Sequence, residues 1–568
     1  MKDEILRSFL TSFSEQNGYS ELGEDEQFEK FANFNVISKL YPRDINIDDL
    51  STGGQDDIGI DGAAIIINGA IVQSEEEIDF LLSRNGTLDV TFAFIQSKNS
   101  AKFKGDQIGT FIFGIKSLFD DKAAMPENEY ISQIRTLKEK VYQHSIDFET
   151  PPQLKLYFVT TGEWKEPAPI VGRVERELQS LDEKKLFENK AEIEFYDAER
   201  LKSTFRELIR KSVKEITFNN HVALPDMPEA LNVRQSFIGS IQVNSYLDLI
   251  TNDEGNLSKG LFYDNVRDYQ GSNKVNREIH ETLNSKLWQN LLPLLNNGIT
   301  IISKKVDKVG SKLKLSDFQI VNGCQSSHVL FENKAVVGDN THIVIKVIET
   351  NDQDVINKII RATNRQTEVK DEAFESLKPF HKDLEEFYKA KSNSIPYPIY
   401  YERRSKEYLG DPKVKPVQVI TLASQIKSYV SLVLEQPQST HRYFGELLES
   451  NESRLFSNTK NLSEYYLSAL IVNRLEALFR GRSRGGIFNY KAFKYHISFL
   501  TYILIKKEFG EDKDKLISLS SDKGRLKPFF DKSIDLITKA LRETSLNKRD
   551  AIRNREFAVR IKEKALSL

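Results

Sequence analysis

The sequence predicts three folds in succession: a mixed α/β domain over residues 1–218, an α+β region over 225–415, and a mainly α-helical region over 416–568. One reason is length, because 568 residues exceed what a single hydrophobic core organises. Another is periodicity. Apolar runs alternating every second residue recur through the front and middle of the chain, with helically spaced runs between them, as in sheets connected by helices. From residue 416 onward helical spacing stands nearly alone.

In chain order, residues 3–16 and 24–41 read as amphipathic helices, the second with Phe28, Phe31, Ile37 and Leu40 as its stripe. Pro42 ends that stretch, and Ser51-Thr52-Gly53-Gly54 loops into an acidic turn, Asp57-Ile58-Gly59-Ile60-Asp61-Gly62. The apolar run 63–67 follows as a strand. Ser74 before Glu75-Glu76-Glu77 has the chemistry of an N-cap with acids in the first turn, so 75–84 is a short helix ending before Asn85-Gly86. Residues 90–95 alternate as a strand and lead into Gln96-Ser97-Lys98. A helix over 105–119, strands over 154–161 and 191–196, and a helix over 198–214 complete the domain. In the middle region, Asn296-Asn297-Gly298 turns into a strand, 342–349 is another strand, and 352–362 is a helix. The tail reads as helices over 417–434, 461–480, 490–509, 528–543 and 546–566.

Composition narrows the function classes. An apolar fraction of 39% and a charged fraction of 29% describe an ordinary globular chain. A net charge of −3 excludes a globally basic nucleic-acid coat, so nucleic-acid contact has to come from local patches. The single cysteine, Cys324, excludes an internal disulfide and a cysteine-built zinc site, and fits a reducing cytosol. It is expected as a small packed residue; His328, one helical turn on, keeps a thiolate role open. The N-terminus lacks the apolar core of a signal peptide and no run reaches about 18 apolar residues, so the expectation is a cytoplasmic protein without a membrane span.

The chemistry concentrates in the acidic turn and the Gln96-Ser97-Lys98 strand end. If the two flanking strands pair, Asp61, Gln96 and Lys98 converge at one sheet end, with 96 and 98 on one face because the strand period is two. A carboxylate, a carboxamide oxygen and an ammonium suit Mg²⁺, or Mn²⁺, held beside a phosphodiester. The other reading is a Gly-containing turn beside a solvated lysine. The pattern resembles the Mrr-like branch of the PD-(D/E)xK nuclease superfamily, in which Gln replaces the second acidic ligand. That resemblance covers roughly the first 220 residues. It implies a restriction-endonuclease-like domain with Asp61, Gln96 and Lys98 catalytic, and Asp61 and Gln96 as metal ligands. Glu29, on the second helix, joins the metal shell by the same resemblance, against the alternative of a solvated helix Glu. Gln107, near the start of the next helix, is a further candidate. Double-stranded DNA is the implied substrate, and a homodimer would bring two sites to a duplex.

Further on, five blocks in order resemble the AIPR family, named for abortive infection and phage resistance. They are Gly260-Leu261-Phe262-Tyr263-Asp264-Asn265-Val266-Arg267, Leu295-Asn296-Asn297-Gly298 with the strand after it, and Phe318-Gln319-Ile320-Val321-Asn322-Gly323-Cys324-Gln325-Ser326. Ala362-Thr363-Asn364-Arg365-Gln366-Thr367 and Tyr400-Tyr401-Glu402-Arg403-Arg404 complete the set. Asn322, Gly323, Gln325, Asn364 and Arg365 form an amide and guanidinium set suited to phosphate, nucleotide or nucleic acid, or else to satisfying buried loop backbone. In the tail, Arg480, Arg482 and Arg484 sit in a basic Gly-containing stretch suited to a nucleic-acid backbone. Lys548, Arg549, Arg553, Arg555, Arg560, Lys562 and Lys564 either extend that track or face solvent. The two resemblances together imply a nuclease of bacterial phage defence. A non-catalytic nucleotide-sensing or nucleic-acid-binding adaptor stays open beside it.

Overall fold

The computed structural model describes residues 3–568 except 42–44, 53, 55, 149, 210–212, 253–254, 256, 263–273, 365–374, 377, 404–406, 409–410, 412, 457–461 and 481–485. Backbone proximity divides the chain into two compact units. One combines Met1–Val36, Asp44–Ser203 and Lys378–Leu568; the other combines Ile37–Arg43 and Thr204–Leu377.

The first unit opens with helix α1 (Glu4–Asn17) and helix α2 (Glu24–Leu40) as far as Val36, and holds a five-stranded mixed sheet. The order is β2 (Ala70–Ile71), β1 (Gly62–Ile67), β3 (Val90–Lys98), β4 (Gln153–Thr160), β5 (Ile193–Tyr196). β1 runs antiparallel to β3 with Gly62 opposite Ile95, and β3, β4 and β5 run parallel. Ala63, Ile65, Phe92, Phe94, Leu156 and Phe158 point from one face into a core shared with the helix at Gly105–Leu118. Their neighbours Ala64, Ala93 and Ile95 are buried as well, so both faces are covered, which is why these strands read as nearly continuous apolar runs.

The helical part of this unit packs around Leu462–Arg480, whose side chains are buried almost all the way round from Tyr465 to Leu475. It also holds one short parallel strand pair, Tyr400–Glu402 with Val419–Thr421, which sequence spacing did not reveal. Beside it the Arg403 guanidinium donates to Glu385 at 2.7 Å, with both side chains nearly inaccessible. The acidic start of the helix at Glu75–Asn85 docks here. Arg549 pairs with Glu75, Arg553 lies 3.0 Å from Glu76, Lys427 lies 3.5 Å from Glu77, and Phe80 stacks on Tyr443.

The second unit is built on a six-stranded sheet of order β6 (Val213–Thr217), β10 (Lys312–Asn322), β9 (Ile299–Val309), β11 (His342–Thr350), β8 (Val233–Gln242), β7 (Asn220–Ala223). Its two outer strands follow each other in the chain with only Phe218 and Asn219 between them. So short a link draws the edges together and curls the sheet around its core of Phe237, Ile241, Ile301, Ile320, Ile345 and the fully buried Phe218. The helix expected over 198–214 ends at Ile209. Val213 and Ile216 continue its spacing, but Ile216 pairs with Leu313 of β10, so tertiary pairing overrides the period. Among the described residues no helix is long and apolar enough to cross a membrane.

Candidate functional site

Asp61 stands immediately before β1, and its backbone N–H donates to the Ile95 carbonyl at 2.8 Å, so the carboxylate lies against the end of β3. Its Oδ2 accepts from Ser97 N–H at 2.7 Å, Gln96 Nε2 at 3.0 Å and Lys98 Nζ at 3.3 Å. The three residues expected to converge do so. Asp61 and Gln96 are buried, while the Lys98 side chain is one-third exposed. The cluster is therefore buried at the carboxylate and reaches solvent at the ammonium.

The turn before Asp61 is held by its own side chains. Asp57 Oδ1 accepts from Gly59 N–H at 2.8 Å. Ile58 has φ +51°, a conformation β-branched residues seldom adopt. The neighbouring helix packs on this turn through Thr110 and Phe111, both within 3.4 Å of where a Gly59 side chain would begin. Gln107 lies one turn earlier on that helix face, with Oε1 buried and, among the described residues, without a hydrogen-bond donor.

Helix α2 adds two residues a turn apart. Asn33 is fully buried, and its Nδ2 donates to the Asp61 carbonyl at 3.3 Å. It sits so close to the chain that a Cβ on residue 62 would fall 2.1 Å from its Oδ1, so any larger residue there would displace the Asn33 side chain. Glu29 is half-buried and has no hydrogen bond or ion pair among the described residues. Burial first, and then the charge of Asp61, push its carboxyl up to about 8, against the pull of Lys30. Asn33 and Ser97 escaped sequence reading. The signal for Asn33 was its place four residues beyond Glu29, on the same helical face. The Ser97 contact uses a backbone N–H, and no residue type announces that.

The donor set suits a hard cation, because it is all oxygen: the carboxylates of Asp61 and Glu29 and the Gln96 carboxamide. Among the described residues no three His, Cys, Asp or Glu side chains group to hold a metal ion, so any such site depends on Gln96 as the third donor. A Glu29 carboxyl driven toward its neutral form by burial and by the Asp61 charge is an arrangement a bound cation relieves.

Elsewhere the candidates fare differently. Asn322 ends β10, and Gly323 takes φ +99° against Ile299 before the helix at Cys324–Glu332 begins with buried Cys324 and half-buried Gln325. Around this turn, polar side chains serve the loops themselves. Asn296 accepts from Gly298 N–H and donates to Ser326, and Ser327 donates to the Gly323 carbonyl. Arg365 and the Asn364 side chain lie outside the described residues, as do Arg482 and Arg484. Arg480 closes its helix instead of opening a loop. Only 12% of its side chain is exposed, and its guanidinium lies 3.7 Å from Asp48 and 3.5 Å from Glu476. The tail cations are also largely committed internally: Arg549 and Arg553 as above, Lys562 to Glu435, and Lys564 to Glu543.

No curated protein and no solved structure matches the chain. A family model described as AIPR protein matches residues 262–554, just over half of the sequence, and leaves the Asp61 pocket outside the match. That span takes in four of the five blocks whole and part of the first, and on it the chain belongs to the AIPR family.

Proposed function

We propose that this AIPR protein is a metal-dependent endonuclease of bacterial phage defence, with a restriction-endonuclease-like front domain that cleaves DNA. The observation that supports the reading is the meeting of Asp61, Gln96 and Lys98 within 3.3 Å at one sheet end, with Glu29 brought beside them by α2. Asp61, Glu29 and Gln96 would hold Mg²⁺ or Mn²⁺, whose chemistry there is to lower the pKa of water and to neutralise phosphoryl charge. Gln96 now donates through Nε2 to Asp61; a half-turn of its amide presents Oε1 instead, converting a donor into an oxygen ligand. Lys98 keeps its ammonium at the open side, where it offsets charge developing on a phosphorus oxygen or orients the attacking water. Asn33 and Thr52 both donate to the Asp61 carbonyl and hold its backbone still while the side chain works. The AIPR region would recognise nucleic acid or a ligand.

Plasmid cleavage with Mg²⁺ and with a chelator tests this directly. Cutting should need the cation, and Asp61→Ala and Lys98→Ala should each lower it by about 10³-fold while the chain still folds. Equal cutting by all three proteins rejects the assignment. The neutral Gln96 and, among the described residues, the lack of a third acid grouped with Asp61 and Glu29 favour a second reading, a non-catalytic nucleotide-sensing or nucleic-acid-binding adaptor. A nucleotide-dependent thermal shift lost in Asn322→Ala, without any cleavage, would support that one.

A further inference from the structure

Among the described residues eighteen large apolar side chains are exposed, and five of them fall within nine consecutive positions of the second unit: Leu287, Trp288, Leu291, Leu294 and Leu295. This segment is a 3₁₀ turn, Trp288–Leu291, continuing into a helical turn, Leu292–Leu295. It is fixed from beneath. Gln289 is buried and its Oε1 accepts from Gly338 N–H at 2.9 Å and Thr341 Oγ1 at 2.8 Å, while Leu292 inserts into the sheet core. With 289 and 292 turned inward, the other five are displayed outward on a firmly anchored ridge, Leu294 being 81% and Leu287 74% exposed. A ridge held this firmly is not a frayed loop, and its apolar side chains are clustered, not scattered singly over the surface.

We infer that this ridge is the contact by which two copies of the chain pair about a two-fold axis. Size and charge argue for a second copy. At on the order of 100 Å² for each fully exposed large apolar side chain, the five present roughly 300 Å² of apolar surface. A standard interface takes about 800 Å² from each partner, a little over half of it apolar. The ridge thus supplies most of the apolar centre that one side requires, with the exposed Asn284 and Asn290 at hand for a polar rim. Residues 287–297 contain no charged side chain, in a chain that is 29% charged. In a two-fold contact a residue near the axis meets its own copy, so a charge there would face its like. An uncharged ridge removes that cost. The inference concerns the second unit alone and does not depend on nuclease activity.

Sedimentation velocity on the full chain tests it. Wild type at about 10 µM should be a dimer, and Leu294→Glu should weaken the dimer by about 30-fold or more without lowering the melting temperature. Ile146→Glu, which alters an equally exposed but solitary apolar residue, should leave it unchanged. A monomeric wild type overturns the inference and leaves the ridge to a different protein. So does a dimer that survives both Leu294→Glu and Leu287→Glu.

Discussion

Asp48 and Glu29 are acidic residues sunk into the same front region, and the fold treats them in opposite ways. Asp48 accepts from Tyr19 Oη at 3.1 Å and lies 3.1 Å from Lys30 and 3.7 Å from Arg480. Burial pushes its carboxyl up, but the charges of Lys30, Lys491 and Arg480 outweigh that and hold it well below the usual carboxylate range. Glu29 has an acid, Asp61, as its strongest charged neighbour, and its carboxyl goes the other way, to about 8. Lys30 is next to Glu29 in sequence, yet its ammonium reaches Asp48 and Ser51. Three cations thus outweigh burial at Asp48, whereas at Glu29 the Asp61 charge adds to burial; that contrast supports the proposal of a structural role for Asp48 and a functional one for Glu29.

The comparison can be broken at several points. The largest expected effect is on chemistry: Asp61→Ala or Lys98→Ala should lower plasmid cleavage by about 10³-fold, with stability little changed. Asp48→Asn should do the reverse, costing about 3 kcal/mol in urea unfolding because Lys30, Arg480 and Lys491 keep their charges without the central anion. The pH dependence has a definite sign. Since pairing lowers the folded-state value of Asp48 below its ordinary 3.8, its contribution is complete at neutral pH and fades as pH falls through and below that value. The wild-type and Asp48→Asn unfolding curves should therefore converge on acidification; a constant gap would show that the asparagine acts through packing. Next in size, Glu29→Gln should weaken Mn²⁺ binding, read by calorimetry, by about tenfold, whereas Asp48→Asn should leave it unchanged. Smallest is Arg549→Ala. It removes a half-exposed pair with Glu75 and should cost no more than about 1 kcal/mol.

Much of the Asp61 pocket was legible because each signal is local. A strand period of two puts Gln96 and Lys98 on one face whatever else the chain does, and a turn before an apolar run puts Asp61 at a strand entrance. Glu29 needed a resemblance, since nothing in a helix sequence says which acid turns toward a strand far along the chain. The tail misled for a related reason. Arg480 looks like a phosphate-binding side chain in sequence, but it is buried by Asp48, more than 400 residues away. Likewise Arg549 and Arg553 read as a basic face until the helix at Glu75–Asn85 is set against them.

The residue order was enough to foresee an α/β front, a helical tail, and three polar side chains able to meet at a sheet end, because periodicity and turn chemistry act over a few neighbours. Charge pairing obeys no such range. Which acid receives Lys30, which arginine is buried, whether Val213–Thr217 joins a helix or a sheet, and that five apolar side chains face outward at 287–295 depend on partners distant in the chain. Coulomb energy and burial are fixed only when the whole chain has folded, so these outcomes belong to the tertiary structure.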